Sequence, residues 1–190
     1  MSNARAGSAI AQNVTFSNIS QPNSRWLLLS GATDPPNAID ITTRRKRDSR
    51  GDKSGAFLRG ITRDFVNMED KIGAKLYNKV MNLYLKKADA QEEIGNFFSY
   101  CQESGYKPML YYSGHGEIGT GNWCFHDGTL SIQEIEDMLL PYYDWLHPTI
   151  ISDACYSGHW ANFCLEFEIF QCLSACPEFS NALDRPSNDF

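Results

Sequence analysis

The sequence predicts an α/β domain, a mostly parallel β-sheet with helices on both faces. Three observations predict it. Short apolar, β-prone runs alternate with segments of helical periodicity along most of the chain, the pattern of parallel sheets. The helical segments fall between successive strands, as crossovers between parallel neighbours require. Several apolar runs stop abruptly in small, glycine-containing turns, and open α/β sheets carry their sites at such strand ends. A chain of 190 residues suits one domain with a sizeable core rather than two.

Residues 1–24 are polar, rich in Ser, Asn and Gln, and non-periodic, which predicts a flexible arm. The domain is expected over 25–185, with a short polar tail at 186–190. Arg25-Trp-Leu-Leu-Leu-Ser-Gly31 reads as a buried strand. Asp34 and two prolines follow in a loop, because proline forbids regular structure there. Arg44–Arg50 is a basic cluster between loop signals. It reads as a solvated loop, and Arg45, Arg47 and Arg50 offer bonds for nicking, including nicking by the protein itself.

Phe57, Leu58, Ile61, Phe65, Met68 and Ile72 recur at helical spacing, which predicts a helix over 56–75. Val80–Leu85 reads as a strand. A second helix follows, with Asp89 as its cap, Glu92 and Glu93 in its first turn, and Ser104-Gly105 as its stop. Met109–Gly116 is a strand and its turn. Asp127-Gly128, between Asn122–His126 and Thr129-Leu130, predicts a hairpin. Ser131-Ile-Gln-Glu134 is a capping-box pattern opening a helix that stops by Pro141. Thr149–Gly158 is another strand and turn. A short helix from His159 and a last strand over 169–175 complete the order.

Formal net charge is −6, which gives no overall attraction to nucleic acid or an anionic membrane. No apolar run approaches the ~20 residues of a membrane helix. The first ten residues hold no apolar signal core, so a cytoplasmic protein is expected. Of six cysteines, Cys101, Cys124, Cys164, Cys172 and Cys176 read as small buried hydrophobes. The spacing Cys172…Cys176 is a poor zinc pattern.

Two turns carry the chemistry. Met109-Leu-Tyr-Tyr-Ser-Gly-His-Gly116 ends in His115, and Thr149-Ile-Ile-Ser-Asp-Ala-Cys-Tyr-Ser-Gly158 ends around Cys155. A Cys and a His at the ends of neighbouring strands would form a nucleophile–base pair. Glycines at 114, 116 and 158 would let substrate approach the backbone closely. Asp153 lies two residues before Cys155, hence on the same strand face. A carboxylate there would favour Arg or Lys before the scissile bond and repel Asp. The plainer reading is that Asp153 braces the turn. His126, His147 and His159 read as surface, loop and packing residues, and Tyr111, Tyr112 and Ile150 as core.

Tyr112-Ser-Gly-His-Gly116 with Asp153-Ala-Cys-Tyr-Ser-Gly158 resembles the caspase-like cysteine peptidases, and metacaspases more than animal caspases. The resemblance covers roughly 25–185 and implies a caspase-like three-layer sandwich. It implies that Cys155 is the nucleophile, that His115 protonates the leaving amine, and that the backbone N–H groups of Gly116 and Cys155 form the oxyanion hole. It places Asp153 in the specificity pocket, with Asp34 a second acid and Ser174 and Ala175 a wall through backbone contacts. Calcium as an activator is open by the same resemblance. Glu117, Asp127, Glu134, Glu136 and Asp137 supply carboxylates but match no calcium loop. Caspase-like domains usually continue with a further strand, so the resemblance implies either a minimal or truncated version of the domain or a homologue or second chain that completes the groove. The implied partner is a peptide or protein substrate. The rival readings are a non-catalytic scaffold or decoy binding an active homologue, and a Cys–His acyl hydrolase of small molecules.

Overall fold

Alternation along the first strand sets up two cores at once. A computed structural model of the chain describes residues 23–31, 53–142, 144, 146–167 and 171–175. In it β1 spans Ser24–Ser30. Leu27 and Leu29 enter one core, Trp26 and Leu28 the other, and all four are fully buried. A strand with no solvated face must lie between two layers.

The elements follow in chain order. Helix α1 covers Lys53–Ile72 and runs through a 3₁₀ turn, Gly73–Lys75, into β2, Leu76–Val80. Helix α2 is Lys87–Ser104 and strand β3 is Lys107–Ser113. A hairpin of β4, Trp123–Phe125, and β5, Gly128–Leu130, leads to α3, Ile132–Leu139. Strand β6, Thr149–Asp153, helix α4, Gly158–Phe167, and strand β7, Gln171–Ser174, complete the described chain.

The main sheet has the order β2-β1-β3-β6-β7, and every pairing in it is parallel. Helix α1 seals one face through Ile61, Phe65, Met68 and Ile72 against Trp26, Leu28, Met109 and Tyr111. The other face carries α2, α3, α4 and the hairpin, with Ile94, Phe97, Ile135, Trp123 and Trp160 against Leu27, Leu29, Leu110 and Ile150. The result is a three-layer α/β sandwich. Strand order reverses at β1, which puts the topological switch beside β3. Among the described residues no helix is long and apolar enough to cross a membrane.

Several local expectations need correction. The second strand lies at Leu76–Val80, not Val80–Leu85. Helix α1 tightens and ends early enough for Leu76 to pair with Trp26, and Asn82 N–H donates to Ser30 Oγ (3.0 Å) just past the strand. Leu83 and Leu85 instead anchor a loop, one on each core, which imitates strand alternation. Asp89 is not the cap of α2 but lies in its first turn; the cap residue is Lys86, with no side-chain bond. Capping comes from the hairpin, where Asp127 Oδ1 accepts the Lys87 N–H (2.7 Å). The hairpin turn is His126-Asp127, since Phe125 pairs with Gly128. The capping box at Ser131 and Glu134 is present, and Gly105 ends α2 in the left-handed conformation. Residues 1–22 of the arm expected over 1–24, the basic cluster and the tail lie outside the described residues, while Ser24 belongs not to an arm but to β1, where it is buried.

Helix α1 is the main described cover of its face, so Phe65, 1% exposed, tests that layer. Phe65→Ala is expected to cost about 3–5 kcal/mol in urea denaturation. A loss below about 1 kcal/mol would mean that α1 does not seal the sheet.

Candidate active site

Strands β3 and β6 are neighbours at the middle of the sheet, and their register ends with Ser113 opposite Asp153. The pairing extends one step beyond the strands, because Gly114 N–H donates to Asp153 O (3.2 Å). His115 and Cys155 each lie two residues past those paired ends. The same sheet edge therefore carries both turns side by side. Both residues are half-buried.

The two turns interlock through backbone. A Cβ on Gly116 would collide with the Cys155 carbonyl oxygen, so only glycine lets the His turn lie this close to the Cys turn. Gly121, at φ +69°, makes the same approach to the carbonyl of Tyr156. Tyr156 itself has φ 58°, a left-handed conformation costing a non-glycine residue about 1–2 kcal/mol. Strain of this kind concentrates where a turn must aim a side chain. Gly116 also bridges to Trp123. The bonds flanking that bridge run from Glu117 N–H to Asn122 O (2.8 Å) and from Cys124 N–H to His115 O (3.1 Å). They do not use the Gly116 N–H, one of the two expected oxyanion donors.

Tyr112 organises the His turn. Its fully buried hydroxyl accepts the Cys124 N–H (3.0 Å) and donates to His115 O (2.8 Å), with Cys124 O also in reach (3.1 Å). Burial holds its pKa well above the ordinary tyrosine value, so the hydroxyl remains a donor. Its ring stacks on Trp123 (4.5 Å), which stacks on Trp160 of α4 (4.3 Å). Trp123 Nε1 donates to Ser152 Oγ (2.9 Å) on β6. One aromatic column thus ties together β3, the hairpin, and the helix that follows the Cys turn.

The opposite face of the same edge is acidic. Tyr111 Oη donates to Asp153 Oδ2 (3.1 Å), and Ser113 Oγ donates to Asp64 Oδ2 (3.3 Å). Asp153 therefore braces the sheet edge, as the plainer reading expects, and it does so on the α1 side. Asp64 was not anticipated. Its signal is a carboxylate three residues after Ile61 and four before Met68, on the stripe that faces the sheet. Ser174 pairs with Ser152, so its register position belongs to the face opposite Asp153. Ala175 N–H bonds to Ser152 O (3.0 Å), and any contribution of this segment to a pocket beside Asp153 would run through backbone. Asp34, Arg45, Arg47 and Arg50 lie outside the described residues.

The remaining candidates are plain. Burial pushes the thiols of Cys101 and Cys124 up to about 12. Contact with Cys164, then burial, raises Cys172. These three thiols are poor nucleophiles. His126 is exposed on the hairpin and meets Tyr84 edge-on (5.6 Å); His147 is exposed in a loop. The five carboxylates considered for calcium do not converge. Glu117 binds Thr120 and Asn122, Asp127 caps α2, Glu134 pairs with Lys87, and Glu136 and Asp137 take Gln133. Among the described residues no group of three His, Cys, Asp or Glu could hold a metal ion. A cavity of about 520 Å³ opens at the other end of the sheet, around Asn23, Gly105 and His147, remote in the fold from both turns.

Comparison with known proteins finds no family model that matches the chain and no similar curated protein.

The Tyr112 hydroxyl gathers the His115 carbonyl and the N–H and carbonyl of Cys124, reinforcing the direct bond from Cys124 N–H to His115 O. Tyr112→Phe keeps the aromatic column and is expected to lower stability by about 1–3 kcal/mol in chemical denaturation. An unchanged midpoint would show that the hydroxyl does not hold the His turn.

Proposed function

We propose that this protein is a cysteine endopeptidase of the caspase and metacaspase type, in which Cys155 and His115 form the dyad and cleavage follows Arg or Lys. The observation that carries the reading is the backbone interlock of the two turns, with Gly116 packed against the Cys155 carbonyl at the ends of adjacent parallel strands. Two motifs that resemble that family in sequence thereby meet in space. A purely structural sheet edge has no need of a thiol and an imidazole there.

In this mechanism Cys155 Sγ, as thiolate, attacks the carbonyl carbon of the scissile peptide bond. Helix α4 begins three residues later at Gly158, and its N-terminal end favours negative charge on this turn. The carbonyl oxygen becomes an oxyanion held by the N–H groups of Gly116 and Cys155. The C–N bond then breaks, and His115 gives a proton to the departing amine. Water attacks the thioester as His115 takes its proton, which frees the acid product and regenerates the thiolate. Tyr112 holds the His115 carbonyl throughout, and so fixes the backbone from which the imidazole projects. Asp153 supplies the negative charge that draws a basic side chain into the pocket. No step is routed through calcium.

The test is cleavage of matched fluorogenic peptides ending in Arg, Lys or Asp, with and without added calcium. Cleavage after Arg and Lys is expected, and Cys155→Ala should reduce it at least about a thousandfold. Asp153→Asn should lower kcat/KM for the basic peptides by about a hundredfold. Cleavage that survives Cys155→Ala, or no cleavage under any condition, would overturn the proposal. Preference for Asp would overturn the assignment of Asp153.

A further inference from the structure

We propose that Tyr111 is a positioning residue for substrate specificity, its hydroxyl fixing the Asp153 carboxylate where a substrate's basic side chain enters. The inference rests on the peptidase reading above and extends it to a residue that does not touch substrate.

The geometry separates the ring of Tyr111 from its hydroxyl. The ring is core: it is 5% exposed and packs edge-on against Phe65 of α1 at 6.1 Å. Packing alone would be satisfied by phenylalanine. The hydroxyl reaches across from β3 to the last residue of β6 and donates to Asp153 Oδ2 at 3.1 Å. Asp153 stands two residues before Cys155 and is only half-buried, at the sheet edge that carries the Cys turn. A carboxylate at a strand end has two rotatable bonds and loses affinity for a cation if it must be ordered on binding. A rigid phenol removes that cost in advance. A carboxylate offers about four acceptor positions, and this bond engages one of them.

The neighbouring residue on the same strand face shows the same division of labour. Ser113 donates to Asp64 Oδ2 at 3.3 Å, and Asp64 also lies 3.6 Å from Arg63 Nε. The hydroxyls of Tyr111 and Ser113 thus meet the two carboxylates from one strand face, and Ser113 also hydrogen-bonds with Tyr111. Burial first, and then the charges of Asp153 and Asp64, hold the phenol far above its usual titration range. It therefore remains a donor across the working pH.

The experiment is a double-mutant cycle of Tyr111→Phe and Asp153→Asn. It is read in steady-state kinetics on two peptides that differ only in arginine or its uncharged isostere citrulline before the scissile bond. Alkylation of Cys155 by iodoacetamide reports on the nucleophile independently. Tyr111→Phe is expected to raise KM for the arginine peptide about tenfold, with kcat within about twofold and the citrulline peptide and alkylation rate unchanged. On the Asp153→Asn background it should have no further effect, because Tyr111 acts through Asp153. Equal losses on both peptides, slower alkylation, a multiplicative effect in the double variant, or failure of Tyr111→Phe to fold would overturn the inference, since each makes the hydroxyl a general structural group. If Asp153→Asn discriminates between the peptides while Tyr111→Phe does not, this inference alone fails. If Asp153→Asn does not discriminate, or the parent shows no Cys155-dependent cleavage, the underlying reading fails and this one with it.

Discussion

The in-register pairing of β3 with β6 is the constraint on which the rest depends. Ser113 opposite Asp153 brings the His and Cys turns level at one edge of the sheet. A slip of β6 by one residue would turn Asp153 to the face opposite Tyr111 and Ser113. The pairing is locked from both sides. The aromatic column of Tyr112, Trp123 and Trp160 clamps one face, and the Tyr111–Asp153 hydrogen bond ties the two strands together on the other. Both clamps are built from residues that also shape the edge, so stability and site geometry share the same contacts.

This arrangement divides the labour of the site by face. In the proposed peptidase chemistry would belong to the turns themselves, where glycine allows the His turn to lie against the Cys155 carbonyl. On the α1 face, which would recognise charge in the proposed peptidase, β3 hydroxyls hold two carboxylates. Rigidity belongs to the hairpin face, where a buried phenol gathers the backbone of His115 and Cys124. Successive residues of β3 point alternately to the two faces. Tyr111 and Tyr112, adjacent in sequence, therefore serve opposite sides of one edge.

Much of this was legible in the sequence, for definite reasons. The central strands are apolar runs bounded by glycine, and the capping box at Ser131 is a local signal that local chemistry satisfies. The two motifs are such runs, and both end at the same sheet edge. What was hidden depends on distant partners. β2 is half polar and exposed, so its strand character comes from pairing with β1 and not from composition. The N-terminus of α2 is capped by Asp127, forty residues later in the chain, which no local pattern can reveal. Tyr111 and Tyr112 look like core residues because their rings are core; only the hydroxyl partners show otherwise. Asp64 could have been found as a carboxylate on the buried stripe of α1.

The most direct test of the central claim is covalent trapping. Peptidyl ketones with a leaving group, ending in either Arg or Asp, would be incubated with the protein and the adduct mapped by mass spectrometry. The account predicts a single adduct on Cys155, formed at least about tenfold faster from the Arg reagent than from the Asp reagent and lost in His115→Ala. Labelling elsewhere, no labelling, or equal labelling of Cys155 by both reagents would contradict it.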